Sequence, residues 1–100
     1  MKNSALIIIL KKNSNPLKGV LSFYNFFLNG EISKLIYRKI IDLNADNKII
    51  LYKNDICKMF PQKIIFFINF KENLELNITQ TLKSLKIEKN IIIGKEESNG

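Results

Sequence analysis

The apolar residues of the chain form short continuous runs that alternate with longer segments of helical spacing. Two runs lie in the middle of the sequence, residues 48–52 and 64–70, and a third, Ala5–Leu10, lies near the start. Each run is too short for a buried helix and rich in Ile, Phe or Leu, which predicts a strand that is covered on both faces. The shorter run 91–93 predicts a last strand that is closed by Gly94.

Helical spacing of apolar residues marks three longer segments, which are residues 17–28, 31–43 and 74–85. Asn15 and Pro16 precede the first segment and form a good helix start. Asn29 and Gly30 follow it and are the favoured pair for a tight hairpin turn, so a hairpin is the alternative. We favour a helix that is capped by Gly30, because Asn15 and Pro16 would otherwise have no role.

A short helix over residues 54–60 is expected to join the two central strands, because Asp55 can lie near its start and Pro61 prevents its continuation. The elements then follow as β-α-α-β-α-β-α-β in a single domain over residues 1–100, with 95–100 as a frayed polar tail. Strands that alternate with helices favour a three-layer α/β fold, in which a mainly parallel four-stranded sheet carries helices on both faces.

The composition narrows the possible functions mainly by exclusion. There is no histidine, which removes Ser-His-Asp and Cys-His catalytic pairs and most zinc sites, and none of the four glycines forms a phosphate-binding loop motif. Asp46 and Asp55 can lie at strand ends, but each is more typical of a turn or a helix cap. Cys57 could be reactive because Lys53 and Lys58 are near it, yet it is more typical of a small apolar residue. We expect no catalytic residue, cofactor or metal.

Segment 17–28 carries the most informative pattern for function, because it is apolar over more than one helical face. One sheet in a domain of this size cannot easily cover all of that surface, and surplus apolar surface commonly binds a protein partner. The candidate protein-interaction residues are Leu21, Phe23, Tyr24, Phe26 and Phe27. The segment therefore indicates a protein-binding module. As stacking platforms for nucleic acid, Phe23, Phe26 and Phe27 are less typical, because such rings in apolar company more often belong to the core.

The net charge of +7 is weak evidence for nucleic-acid binding, because the lysines are dispersed and accompany many Ile and Asn residues, as A/T-rich coding produces. The best candidate patch for nucleic acid or an acidic partner is Lys34, Arg38 and Lys39 on the second helix. The single cysteine excludes an intrachain disulfide and favours a reducing compartment. No run approaches the roughly 18 apolar residues of a membrane span. We therefore expect a cytoplasmic protein.

Residues 32–70, ISKLIYRKIIDLNADNKIILYKNDICKMFPQKIIFFINF, resemble the psi subunit family of the bacterial DNA polymerase III holoenzyme. The shared pattern is a helix, an acidic and asparagine-containing turn, a strand, a short helix and a second strand; the first and last strands also fit. The resemblance implies a non-catalytic accessory subunit in DNA replication that bridges the clamp loader and the chi subunit. The sequence starts at its first strand and lacks the family's tryptophan-bearing C-terminal helix, so no individual binding residue is carried over. The alternative is a small basic RNA- or DNA-binding protein.

Overall fold

A computed structural model describes residues 4–87 completely and residues 91–95 as backbone. Within these described residues seven elements follow one another: β1 (Ala5–Leu10), α1 (Gly19–Phe27), α2 (Glu31–Tyr37), β2 (Lys48–Lys53), β3 (Lys63–Ile68), α3 (Leu74–Ser84) and β4 (Ile91–Lys95). Lys95 therefore belongs to β4, and the rest of the predicted frayed tail lies outside the described residues.

The sheet has the strand order β2-β3-β1-β4. β1 runs parallel to β3, with Ala5 opposite Lys63 and Leu10 opposite Ile68, and it runs parallel to β4 on its other side. β2 runs antiparallel to β3. The central strands β1 and β3 are almost entirely buried, as expected for strands whose apolar residues do not alternate with polar ones.

The predicted fold class is wrong in the sheet and in one connection. The three strands whose side chains are described, β1 to β3, form a mixed sheet and not a mainly parallel four-stranded one, because β2 is antiparallel to β3. Residues 54–62 form a loop without the predicted helix. A parallel arrangement of β2 and β3 would need a crossover of about a dozen residues or more, which this loop is too short to provide.

The two faces of the sheet are covered unequally. On the first face, α1 and α2 pack against a large buried cluster that includes Leu6, Ile8, Ile64 and Phe66. On the second face, α3 packs against a smaller cluster around Ile7, Ile65 and Phe67, and no residue of α3 is itself fully buried. Three residues of α3 and the residue that caps its C-terminal end pack against this smaller cluster and are only partly buried: Leu74, Ile78, Leu82 and Leu85.

Segment 17–28 forms a helix and not a hairpin, but its start and its cap differ from the prediction. α1 begins at Gly19, and two left-handed residues follow its C-terminal end: Asn29, with φ 55°, occupies the position expected for the capping glycine, and Gly30 comes after it with φ 75°. The backbone N–H of Asn29 donates to the Phe26 carbonyl at 3.0 Å, and that of Gly30 donates to the Asn25 carbonyl at 2.8 Å. This pair of bonds is the Schellman motif. The motif needs a residue in the left-handed backbone conformation, which asparagine adopts more readily than most other non-glycine residues.

The second helix is shorter than predicted, since α2 ends at Tyr37 and does not continue to residue 43. Lys39 adopts a left-handed conformation with φ 63°, and the N–H of Ile40 donates to the Leu35 carbonyl at 3.0 Å, which closes the same end motif. The chain then leaves the helical path. Tyr37, the last residue of α2, and Ile40, just beyond the helix, are both exposed.

Candidate protein-interaction surface

Helix α1 is attached to the domain by one side only. Within the helix only Leu21 and Asn25 are buried, and Leu21 packs into the cluster on the first face of the sheet. Val20, Phe23 and Phe26 lie on the other side and are exposed. The sequence analysis named Leu21 as a candidate protein-interaction residue. Because Leu21 is buried in the core, it is not part of the exposed surface of α1.

Asn25 sets the orientation of α1 against the following helix. Its side-chain amide donates to the hydroxyl oxygen of Ser33 at 2.7 Å and to the Pro16 carbonyl at 3.3 Å. Its side-chain oxygen accepts the backbone N–H of Ser33 at 3.1 Å. These bonds satisfy a buried polar group from both sides, so they hold α1 in one rotation about its axis. In that rotation the helix presents phenylalanines to solvent.

The exposed side of α1 carries a contiguous set of rings that we call the aromatic surface: Phe23, Tyr24, Phe26, Phe27 and Phe60. Phe27 lies at its centre, with ring centroids 4.7 Å from Phe23, 5.5 Å from Phe26 and 5.9 Å from Phe60. Tyr24 contacts Phe60 at 5.6 Å. Phe26 is 76% exposed and Phe23 is 54% exposed, whereas the other three rings are partly buried beneath them. The rings support one another in an ordered arrangement, although its outer part faces solvent.

Phe60 comes from the loop between β2 and β3, and the sequence analysis did not identify it. Asn54, which is buried, organises this loop: its side-chain amide donates to the carbonyls of Cys57 at 2.7 Å and Pro61 at 3.1 Å. Its side-chain oxygen accepts the N–H groups of Ile56 and Cys57 at 3.0 Å each. An asparagine that bonds the backbone a few residues ahead of it competes with helix formation. This explains why residues 54–60 form a loop, and it places Phe60 beside α1.

The basic candidates Lys34, Arg38 and Lys39 are all exposed. Lys34 and Arg38 lie one helical turn apart, because the Arg38 N–H donates to the Lys34 carbonyl at 2.9 Å. Tyr37 lies between them in sequence and is 87% exposed. The structure therefore adds an accessible aromatic ring to a patch that the sequence described by its charges alone.

The residues considered for catalysis do not form a site. Asp46 and Asp55 are exposed, and Cys57 is partly buried against the cluster on the first face of the sheet. In the part of the chain that the structure describes, no group of three or more acidic or cysteine side chains could hold a metal ion. Within the same residues, no helix has the length and apolar character needed to cross a membrane.

No protein-family model, curated protein or solved structure matches this chain.

Proposed function

We propose that this chain is a non-catalytic accessory protein that binds another protein through the aromatic surface. The observation that carries this proposal is the exposure of Phe23 and Phe26 on an ordered cluster of rings. Large aromatic side chains are enriched in the energetically dominant parts of protein interfaces, since they bury much area with few rotatable bonds. A contiguous exposed apolar patch on a small domain commonly marks such an interface.

The resemblance of residues 32–70 to psi subunits supports a more specific form of this proposal. In that form the protein is a psi-like accessory subunit of the bacterial replicative DNA polymerase, it acts in the cytoplasm, and its partners are the chi subunit and a subunit of the clamp loader. The short helix that the resemblance implies at 54–60 is a loop here. Support for the psi-like form therefore comes from the remaining pattern of helix, turn and strands.

The direct test is binding of purified chi and clamp-loader subunits from the same genome, measured by calorimetry or by retention on the immobilised chain. We expect chi to bind. We expect the double substitution Phe23→Ser and Phe26→Ser to weaken binding at least tenfold, because it removes two rings whose apolar area the complex would bury. Leu76→Ser is the matched control, since Leu76 is a similarly exposed apolar residue on α3. Binding of neither chi nor a clamp-loader subunit would refute the psi-like form. Equal losses in the control and the double variant would refute the role of the aromatic surface.

A second candidate function, single-stranded nucleic-acid binding, is favoured by the exposure of Tyr37 among Lys34, Arg38 and Lys39. Bases stack on accessible aromatic rings while basic side chains contact the phosphates. This function predicts that affinity for a labelled oligonucleotide falls steeply with salt, and that Tyr37→Ala weakens it at every salt concentration. Lys83→Ala on α3 serves as the charge control. Affinity that is insensitive to Tyr37 and Arg38 substitutions would exclude this site.

A further inference from the structure

Four residues of α1 form a continuous line along the side of the helix that faces away from the domain. Gly19, Ser22, Phe23 and Phe26 follow the spacing i, i+3, i+4 and i+7, so they lie within about 100° of one another around the helix axis. We call these four residues the α1 seam. The buried residue Leu21 lies on the opposite side of the helix. The packing that buries Leu21 therefore presents the seam to solvent.

The seam is bulky at one end and empty at the other. Phe26 is 76% exposed, whereas no atom lies within 4 Å of the point where a Cβ at Gly19 would stand. The side chain of Ser22 is small, and its hydroxyl donates to the Gly19 carbonyl at 2.6 Å, so it stays close to the helix. If a second copy lies antiparallel on the seam, the Phe26 ring of each copy meets the empty space at Gly19 of the other. A two-fold axis makes this fit twice, as in an isologous interface.

Opposite charges lie at the two ends of α1. Lys18 immediately precedes the helix, and Glu31 follows it closely, because its backbone N–H donates to the carbonyl of the C-terminal cap Leu28 at 3.1 Å. No charged residue lies between Lys18 and Glu31 in the sequence. Among the described residues, neither of these two side chains has an ion-pair partner. An antiparallel second copy therefore brings Lys18 of each chain to the helix end that carries Glu31 of the other.

The net charge of +7 does not prevent this pairing. At an ionic strength of about 0.15 M, salt screens exposed charges that are more than about 8 Å apart, whereas the contacts along the seam are shorter. The exposed area makes the pairing weak, because the exposed parts of Phe23 and Phe26 amount to roughly 250 Å² for each copy. Two such patches lie well below the roughly 1,200 Å² of a stable interface. A dimer through the seam is therefore reversible.

We propose that two free copies of the chain pair antiparallel through the α1 seam, and that this pairing covers Phe23 and Phe26 until another protein replaces the second copy. The regulatory part of this inference rests on the proposed function, since the dimer controls the aromatic surface only if that surface binds a partner. The hydrogen bonds of Asn25 hold the seam in place before association, so little ordering is needed when two copies meet.

Sedimentation equilibrium of the whole chain between about 1 µM and about 1 mM tests the pairing. We expect the mass to rise from monomer to dimer and no further. Lys18→Glu and Glu31→Lys should each weaken the dimer about tenfold, because the symmetry places like charges together at both ends. An equal mixture of these two variants should recover the native affinity, since each end of the mixed dimer then has one lysine and one glutamate. Lys83→Glu, at an exposed position on α3, makes the same charge change as Lys18→Glu and is the matched control.

Isotope-filtered NMR of a mixture of labelled and unlabelled chain tests the geometry. We expect contacts between the Phe26 ring of one copy and the Gly19 α-protons of the other, because these groups are about 10 Å apart along a single helix. Urea unfolding checks that each variant is folded. A native chain that stays monomeric, a mixture that does not recover affinity, an equal loss in Lys83→Glu, or contacts at another surface would overturn the proposal.

A titration of chi against labelled chain at nanomolar concentration, where the chain is monomeric, tests the proposed function separately. Absence of chi binding there would refute the psi-like form, whereas the dimer would still be measured by sedimentation. For the regulatory part, we expect the complex formed with excess chi at high concentration to contain one copy of the chain. A complex that retains the paired chains through the seam would overturn the claim that the dimer covers the binding surface.

Discussion

Two Phe-Phe pairs in this chain have opposite environments. Phe66 and Phe67 in β3 are both fully buried, whereas Phe26 in α1 is 76% exposed and Phe27 is partly buried. Consecutive residues of a strand point to opposite faces of the sheet, and both faces of β3 are covered by helices. Consecutive residues of a helix point in directions about 100° apart, and only one side of α1 contacts the domain.

The same dipeptide therefore makes two different contributions. In β3 its area is removed from water during folding, so it contributes to stability. In α1 much of its area is still available after folding, so it can contribute to association. In β3 the outcome depends on the helices that cover both faces of the strand. In α1 it depends on the hydrogen bonds of Asn25, which fix the rotation of the helix about its own axis.

The largest expected effect is on the buried pair. Phe66→Ala should lower the free energy of unfolding by about 3–5 kcal/mol, because it removes a buried ring and leaves a cavity. Phe26→Ala, the same chemical change in α1, should lower it by less than about 1 kcal/mol. Urea unfolding followed by circular dichroism measures both variants. Similar losses in the two would mean that the two pairs do not differ in burial.

A smaller effect is expected at Asn54, which holds the loop that brings Phe60 to α1. Asn54→Ala should cost about 1–3 kcal/mol, since several backbone groups lose their partner in a buried site. It should also release Phe60 from the rings of Tyr24 and Phe27. Ring-proton contacts in an NMR spectrum report this release, and Asn13→Ala, at an exposed loop position, is the control. Intact contacts between Phe60 and Phe27 in the variant would show that the loop does not depend on Asn54.

A third test compares two exposed lysines that differ in backbone conformation: Lys34 within α2, and Lys39 just after the end of α2. Lys39→Gly should raise the free energy of unfolding by about 0.5–1 kcal/mol, because its φ of 63° suits glycine. Lys34→Gly removes the same charge from a regular helical position and should lower stability by about 1 kcal/mol. Thermal unfolding of both variants at one salt concentration gives the comparison. A loss of stability in both would contradict the left-handed helix end at Lys39.

Most individual elements could be predicted from the sequence, since apolar runs and helical spacing report local burial directly. β1 has its predicted bounds, and β2, β3 and α3 differ from theirs by one or two residues. The antiparallel direction of β2 was missed because residues 54–60 looked like a helical turn. The bonds that prevent that turn come from the side chain of Asn54, and apolar spacing carries no information about them.

The aromatic surface could be predicted only in part. Apolar residues on more than one side of segment 17–28 indicated a surplus, but that pattern alone could not place Leu21 inside and Phe26 outside. Phe60 could not be assigned at all, because its contact with Phe27 joins distant parts of the chain through an irregular loop. The early end of α2 was also missed, since a lysine in a left-handed conformation has no clear sequence signal.

The most direct measurement of the central claim is a paired one on the chain with Phe23→Ser and Phe26→Ser: its free energy of unfolding and its affinity for purified chi. Serine and phenylalanine have similar helix propensities, so the substitutions mainly remove exposed ring area. We predict that stability stays within about 1 kcal/mol of the native chain while affinity falls at least tenfold. A loss of several kcal/mol in stability, or affinity for chi that the two substitutions leave unchanged, would contradict the account.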